Sequence, residues 1–569
     1  MRLFFSLLTA WSAASAIELT GSLTNTAPPI PNWASTLTSW DPQSFNHAAP
    51  ADFSSRFPFL KYVELFTATG GCYKGYPGCS GDRDLFNDPA MGMPSGVNAS
   101  RLFPPLWHLV DAGLTPHLVT GNVPIALSQS PFIGGFGFNS KPPSDLSTYR
   151  DYIRQVAEQL VKEFGVDRVK SWRWGVYTEY NNQDWLIGNA SSFASLFDYT
   201  ACGLVDALGS PSLVDLGAHG CVQCGGAWAP LEFLQHAAQG TSACSGGSVH
   251  LNFTTNSYYE HTVGDPGDGS WWADQGGEIL SQARALGLPT QRYGIDEGRL
   301  LWGPEGPSYG LTTRAVGPAY QGSWDALFFD QLVLTGVPDA YYSRWGLTFY
   351  PDHFAEASST VDSVATNVAR LTHALAGMPR VPTTLAPAAG AAGAAGAAPP
   401  PPASAVGAVV GVDASASSAS SWVVRVLAYH HHPWLNATSV PIAPQTLQVT
   451  LCGAPPGAVG KAPSASATRV GQLSANAWPA WATAASAANL SFAAGDYNEG
   501  WSALSDTPPL RSARALGALA AALPEMQAAA RLLPGPLPGG ASVDADACLR
   551  FTLELPPHEV ALVEIDLQV

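Results

Sequence analysis

From Phe57 to about Arg380, short apolar runs alternate with amphipathic helical patterns, and this alternation most constrains the fold. Strand-like runs fall at Tyr62 to Thr67, Thr115 to Thr120, Trp172 to Val176, Leu213 to Ala218, Val249 to Thr254, Gln291 to Asp296 and Ala340 to Leu347. Helical periodicity separates them, clearest in Leu102 to Ala112, Thr148 to Phe164, Phe193 to Ala207, Leu231 to Ala238, Ile279 to Leu286 and Ser323 to Leu334. Repeated β-α units over such a length predict a (β/α)8 TIM barrel, with a doubly wound open sheet as the alternative. No Gly-x-Gly-x-x-Gly follows the first strand, which argues against a dinucleotide site.

Thr383 to Ala405 is different in kind. Its Ala-Ala-Gly repeats and the run Pro399 to Pro402 cannot bury a core, so it reads as a linker or insertion. Beyond it, Trp422 to Tyr429, Thr446 to Cys452, Leu549 to Leu555 and Val560 to Leu567 alternate like antiparallel strands, interrupted by an Ala/Leu-rich helix over Arg511 to Leu533. The fold class is therefore α/β, a TIM barrel with an additional C-terminal β-sandwich domain. The expected divisions are 1–16, 17–56 (an N-terminal segment, a candidate to pack on the sandwich), 57–382 (barrel), 383–405 (linker) and 406–569 (sandwich with helical insert).

Arg2, the apolar run Leu3 to Trp11 and Ala14-Ser15-Ala16 read as a secretory signal peptide. Five Asn-x-Ser/Thr sequons, at Asn98, Asn189, Asn252, Asn436 and Asn489, and eight cysteines suit a secreted or lumenal protein, whether extracellular, vacuolar or lysosomal. No later apolar stretch has the length of a membrane span. A net charge of -17 makes nucleic acid and anionic membranes poor partners. Cys72 and Cys79 can close a local loop, and Cys452 is expected to pair with Cys548. Cys202, Cys221, Cys224 and Cys244 allow three pairings, disulfides being preferred over a zinc or redox reading of Cys221-x-x-Cys224. The triplet His430 to His432 ends a strand and reads as a solvated turn rather than a metal site. No cofactor or metal is expected.

Two segments carry chemistry. In Trp172 to Trp185, WRWGVYTEYNNQDW, the strand pattern stops at Thr178-Glu179 and a polar loop begins, leaving Glu179 at a strand's C-terminal end. In Tyr293 to Gly298, YGIDEG, an apolar strand ends in Asp296 and Glu297. Read singly, these acids are as compatible with surface, capping or salt-bridging roles. If one early strand escapes the pattern, the two glutamates end strands four and seven. A retaining glycosidase needs such a pair, with carboxyls about 5 to 5.5 Å apart.

These segments, in this order, resemble glycoside hydrolase family 39, which includes β-xylosidases and α-L-iduronidases. WRWGVYTEYNNQDW is similar to the family's acid/base strand, YGIDEG to its nucleophile strand, and Tyr342-Ser343-Arg344-Trp345 to its last barrel strand. Asp496 to Trp501, DYNEGW, is similar to a segment of its β-sandwich. The resemblance implies that Glu179 is the general acid/base and Glu297 the nucleophile of a carbohydrate-cleaving enzyme, with Asp296, Tyr293, Trp345 and Asn181 as candidates to hold the sugar. Three positions depart from the pattern. Thr178 replaces an Asn that contacts the sugar's 2-hydroxyl, Tyr180 replaces a Pro, and Asn256 replaces a His, with Tyr258 retained and His261 near. No lysine near Glu260 or His261 matches the one that contacts a uronic carboxylate, so a neutral glycoside is expected. A non-catalytic carbohydrate-binding or cell-surface glycoprotein is the competing reading. A scaffold built around the Ala/Pro-rich insert is a third, and the oligomeric state is left open.

Overall fold

The computed structural model describes residues 16–39, 42–79, 81–87, 96–222, 226–260, 277–300, 319–344, 346–350, 359–387, 405–414, 421–431, 442–491, 494–496 and 510–568. The signal-peptide run, Cys224, His261, Trp345, Pro399 to Pro402, His432, Asn436 and the stretch from Tyr497 to Trp501 lie outside these residues.

Eight parallel strands close into a barrel. They are β1 (Thr36–Ser39), β2 (Tyr62–Leu65), β3 (Thr115–Thr120), β4 (Arg173–Val176), β5 (Asp215–Val222), β6 (Phe253–Glu260), β7 (Arg292–Leu300) and β8 (Asp339–Arg344). β8 pairs with β1 to complete the ring. The strand missing from the sequence pattern is β1, upstream of the Phe57 boundary. Its four residues are polar or small apart from Leu37, so it has no apolar run to recognise, yet all four are buried. With β1 in place, Glu179 follows the fourth strand and Glu297 lies in the seventh.

The barrel helices lie outside the ring, among them α1 (Leu146–Phe164), α2 (Ala190–Leu208), α3 (Ala319–Leu334) and α4 (Val364–His373). Asp145 caps α1 by accepting from the Thr148 amide, and Tyr149, Tyr152, Ile153, Val156 and Leu160 form its buried stripe at helical spacing. α3 is apolar almost all round because it is buried on two sides, against the barrel and against a sheet of the second domain.

That domain is a sandwich. One sheet runs in the order Thr383–Pro387, Ala16–Ser22, Gln445–Cys452, Cys548–Leu555, Ser542–Val543. The other has Ala405–Asp413, Ser421–His431, Glu559–Gln568 and Ser464–Val470 at its centre. Alternation assigns the side chains. Val410, Val424, Val426, Val563 and Ile565 join the core between the sheets, while Val409, Leu427, Val560 and Leu562 join the barrel's core. The first residues of the proposed linker, Thr383–Pro387, form an edge strand paired with Ala16–Ser22. The histidine triplet also differs from expectation. His430 and His431 are buried, the first bonded to the Leu555 carbonyl and the second to the Ser323 hydroxyl of α3. Their burial follows from a strand that continues under the barrel instead of ending in solvent.

Disulfides join Cys72–Cys79, Cys202–Cys244 and Cys452–Cys548, and Cys221 is free and buried. Among the described residues, no helix is long and apolar enough to cross a membrane.

The N-terminal segment is locked to the barrel by Trp33, which is fully buried. Its indole N–H donates to Thr372 at 2.6 Å, its ring stacks on Tyr342 with centroids 5.4 Å apart, and its carbonyl accepts from the Tyr342 amide. Trp33→Ala should cost about 3–5 kcal/mol, seen as a lower denaturant midpoint. A loss within ~0.5 kcal/mol would mean that this segment does not support the barrel.

Candidate active site

Each strand end contributes through its local geometry. β4 leaves the barrel through Tyr177 (φ 59°) and Glu179 (φ 44°), two left-handed non-glycine residues flanking Thr178. Such strain persists where surroundings over-determine the backbone, and it clusters at functional sites. Here the Tyr177 amide donates to the Thr120 carbonyl, and the Tyr177 hydroxyl accepts from the Val123 amide. In β7 the register with β6 slips, so that Asn256 pairs with Ile295 but Ser257 pairs with Glu297, leaving Asp296 as a bulge. In a regular strand neighbouring side chains point to opposite faces; the bulge relaxes this, and Asp296 and Glu297 are both buried. It also brings Glu297 level with Ser257.

Ser257 is the strand partner of Glu297, and its buried hydroxyl makes no hydrogen bond among the described residues. Asn182 donates to Glu179 Oε2 at 2.8 Å, and the Trp185 side chain bonds the same carboxyl. Burial nevertheless dominates and raises the Glu179 pKa, with the negative charge of Asp184 adding to the shift. The carboxyl thus keeps its proton to higher pH than an exposed glutamate does.

Gly220 in β5 separates Glu179 from Asp296. Its φ is +63°, and a Cβ there would lie 3.1 Å from the Glu179 amide nitrogen and 3.4 Å from Asp296 Oδ2. Only glycine supplies both the left-handed backbone and the clearance. Cys221 follows it. Burial pushes its thiol well up, with Asp296 and Glu179 adding to the shift, so it stays protonated beside the acids.

Beneath the mouth the barrel encloses a polar cluster. His219 Nε2 is 3.0 Å from Asp296 Oδ2 and 3.2 Å from Glu64 Oε2, and His117 Nδ1 is 3.4 Å from the same Glu64 oxygen. All four side chains are inaccessible to solvent. Thr255 donates to Asp296, and Thr38 donates to the Asp296 carbonyl at 3.1 Å. Burial raises Glu64, lifts Asp296 to about 7 against the opposing effect of His219, and lowers both histidines. Glu64, His117 and His219 have the donor atoms of a divalent-metal site, all within 4.8 Å of one another. However, none of the four imidazole nitrogens makes a hydrogen bond among the described residues, whereas a ligating histidine normally anchors its second nitrogen. The cluster is a set of closely approaching buried polar groups that lacks the anchoring of a metal site.

The predicted sugar-holding residues divide. Tyr293 donates to Asn256 Oδ1, both fully buried, so the two form one unit beside β7. Tyr258 stacks on Phe328 of α3, with centroids 5.3 Å apart. The Thr178 hydroxyl is buried with no partner among the described residues, beside Glu179. Asn181 is already engaged: its amide accepts from the Val222 N–H and donates to the Val222 and Trp228 carbonyls. It holds the loop after β5, with both amide N–H groups committed. His261 and Trp345 are outside the described residues. Sequence reasoning missed Ser257, Gly220, Asn182 and the Glu64–His117–His219 cluster. Only the histidine in an otherwise apolar strand, LGAHG, was a signal.

A closed parallel barrel with one buried glutamate just after its fourth strand and another in its seventh, joined to a β-sandwich, is the arrangement in which a glycosidase's carboxylate pair is found. Residues 103–268 match the family model described as Glycosyl hydrolases family 39, in agreement with the resemblance of the motifs. The fold is similar to a monomeric beta-xylosidase from Caulobacter crescentus CB15, with a TM-score of 0.60 and 15% identity over 96% of this chain and 99% of that one. It is also similar to the GH39 enzyme from Xanthomonas axonopodis pv. citri, with a TM-score of 0.59 and 13% identity over 98% and 99%. A bacterial orthologue of human α-L-iduronidase gives a TM-score of 0.58 and 12% identity over 97% and 84%. At these identities the structural likeness speaks for the fold alone. No curated protein matches the sequence.

Gly220→Ala should destabilise the fold by about 1–2 kcal/mol through backbone strain and depress glycoside hydrolysis far more than stability. A variant with unchanged activity would show that the close approach of β5 to Glu179 has no part in the site.

Proposed function

We propose that this protein is a retaining exo-glycosidase acting on a terminal neutral sugar, with Glu179 as general acid/base and Glu297 as nucleophile. The observation that carries the reading is the pair of buried glutamates at the barrel mouth, Glu179 just after β4 and Glu297 in β7, where the bulge at Asp296 sets it level with Ser257 of β6. In the first step, Glu297 attacks the anomeric carbon and the bond to the leaving oxygen breaks as that oxygen takes the Glu179 proton. In the second, Glu179 removes a proton from water, the water oxygen bonds to the anomeric carbon, and the ester to Glu297 breaks. The buried hydroxyl of Thr178 is the group best placed to meet the sugar beside the acid. Preference for a neutral sugar rests on the absence of a matching lysine near Glu260. Three disulfides support a working site in an oxidising compartment, secreted or lumenal.

The test is hydrolysis of aryl xyloside, arabinoside, glucoside, galactoside and iduronide by the wild type, Glu179→Gln and Glu297→Gln. One neutral glycoside should be cleaved with retained anomeric configuration, and each variant should lose roughly 100-fold or more. Inversion would refute the double displacement, preference for the iduronide would refute the neutral-sugar reading, and uniform inactivity would favour a carbohydrate-binding protein.

The pH profile gives a separate check. Because burial raises Glu179, kcat/KM for a poor leaving group should fall as pH rises through a value above the ordinary glutamate range. Glu179→Gln should remove that limb. A limb at the ordinary value, or one that survives the substitution, would exclude Glu179 as the acid.

A further inference from the structure

Beside Glu179 stands a short hairpin with no part in the chemistry described so far. It runs from Pro131 to Ser140 and folds back on itself. The Gly134 amide donates to the Phe138 carbonyl, and Ile133 bridges Asn139. Asn139 is its anchor. Its backbone amide donates to the Gly71 carbonyl and its side-chain amide to the Val123 carbonyl and the Ser128 hydroxyl. Ser140 and the Gly135 amide both bond Asp184, in the loop that carries Glu179. Gly134 passes so close to the Asp184 carbonyl that a Cβ there would collide with it. The hairpin and the acid's loop are thus one rigid unit.

On this unit three rings pack together. Trp185, buried beside Glu179, stacks with Phe138 (centroids 5.7 Å apart, 15° between planes) and with Phe136 (4.7 Å, 17°). Phe138 is fully buried, under the Arg83 guanidinium, whereas Phe136 is 39% exposed and Phe132 on the same hairpin 52%. Apolar rings left partly exposed on a rigid support are surfaces of the kind that mark binding sites. Their place relative to the acid indicates what binds. Glu179 delivers its proton to the leaving oxygen, so the departing group lies on the Glu179 side and extends outward past Trp185.

We propose that Phe136 and Phe132 form a platform for the leaving group, stacking on the apolar face of a sugar or on an aryl aglycone. This rests on the glycosidase reading above. It predicts selectivity for extended leaving groups, because a small one cannot reach the rings.

The experiment compares three substrates of whichever sugar is cleaved: the glycosyl fluoride, whose leaving group cannot reach the hairpin, a naphthyl glycoside and a disaccharide. Phe136→Ala and Phe132→Ala should lower kcat/KM about 3- to 10-fold for at least one extended substrate while leaving the fluoride within about 2-fold, and Phe136→Trp should restore the loss. A loss confined to the disaccharide identifies a sugar face as the occupant, and one confined to the naphthyl glycoside an aryl group. Phe136→Leu, which keeps apolar bulk without the ring, should behave as the alanine variant and guards against a folding effect. Equal losses on all three substrates, or no loss on any, overturn the platform while leaving the glycosidase intact. A folded wild type inactive on every fluoride overturns both.

Discussion

Two carboxylates approach one imidazole nitrogen to 3.0 and 3.2 Å inside a closed barrel, and the architecture of the mouth depends on that arrangement. Glu64, His219 and Asp296 come from β2, β5 and β7, with no access to water. Buried ionisable groups are tolerated only when paired or neutralised, and removing one partner of such a set costs more than replacing all of it. The cluster therefore fixes the strands that supply it. Thr38 adds β1 through the Asp296 carbonyl, and Thr255 adds β6 through the Asp296 carboxyl. Asp296 is also the bulged residue that brings Glu297 level with Ser257. The position of one acid in the mouth is thus set by hydrogen bonds made below it.

The opposite end of the barrel is pinned by charge as well, in a different manner. Arg173, Asp215, Arg292 and Asp339 are the first residues of β4, β5, β7 and β8. Arg292 pairs with Asp215 at 2.8 Å and with Asp339 at 3.0 Å, Arg173 pairs with Asp339, and the Arg173 guanidinium lies 3.5 Å over the Tyr62 ring. Conservative-looking replacement by lysine would lose the fork that spans two strands. A tied base and an internally bonded middle leave the strand ends as the place where geometry is tuned, as in barrel enzymes generally.

Much of the barrel was legible because most of its later strands carry an apolar run bounded by turn residues; β6 (FTTNSYYE) does not, and its strand starts four residues after the expected Val249. β1 was not, since Thr36–Ser39 has no apolar run of its own and is buried by its pairing with β2 along its whole length and with β8 over Thr36 and Leu37. Both glutamates were legible as acids closing apolar strands, but the bulge beside Glu297 has no local signature and depends on pairing with β6. Asn181 has a second task that the sequence did not show: an asparagine two residues after an acid reads as a ligand, and its amide also ties down the loop after β5, a partner 41 residues away. His430 and His431 failed similarly: three consecutive polar residues look solvated until a helix is laid over them.

The pairing of Ala16–Ser22 in parallel with Gln445–Cys452 has a consequence for how the chain is made. During synthesis the first of these strands leaves the ribosome long before its partner exists. The barrel strand that follows it needs only β2 and, later, β8. The amino-terminal segment must therefore wait, committed to the barrel at one end, until about two-thirds of the chain is made for its first partner, Thr383–Pro387, and nearly four-fifths for its second. Such delayed, long-range pairing is slow and exposes a strand edge to wrong partners. Its flanking threonines, glycine and serine, with Glu18 in its middle, keep that waiting edge polar, as strands liable to stray association commonly are.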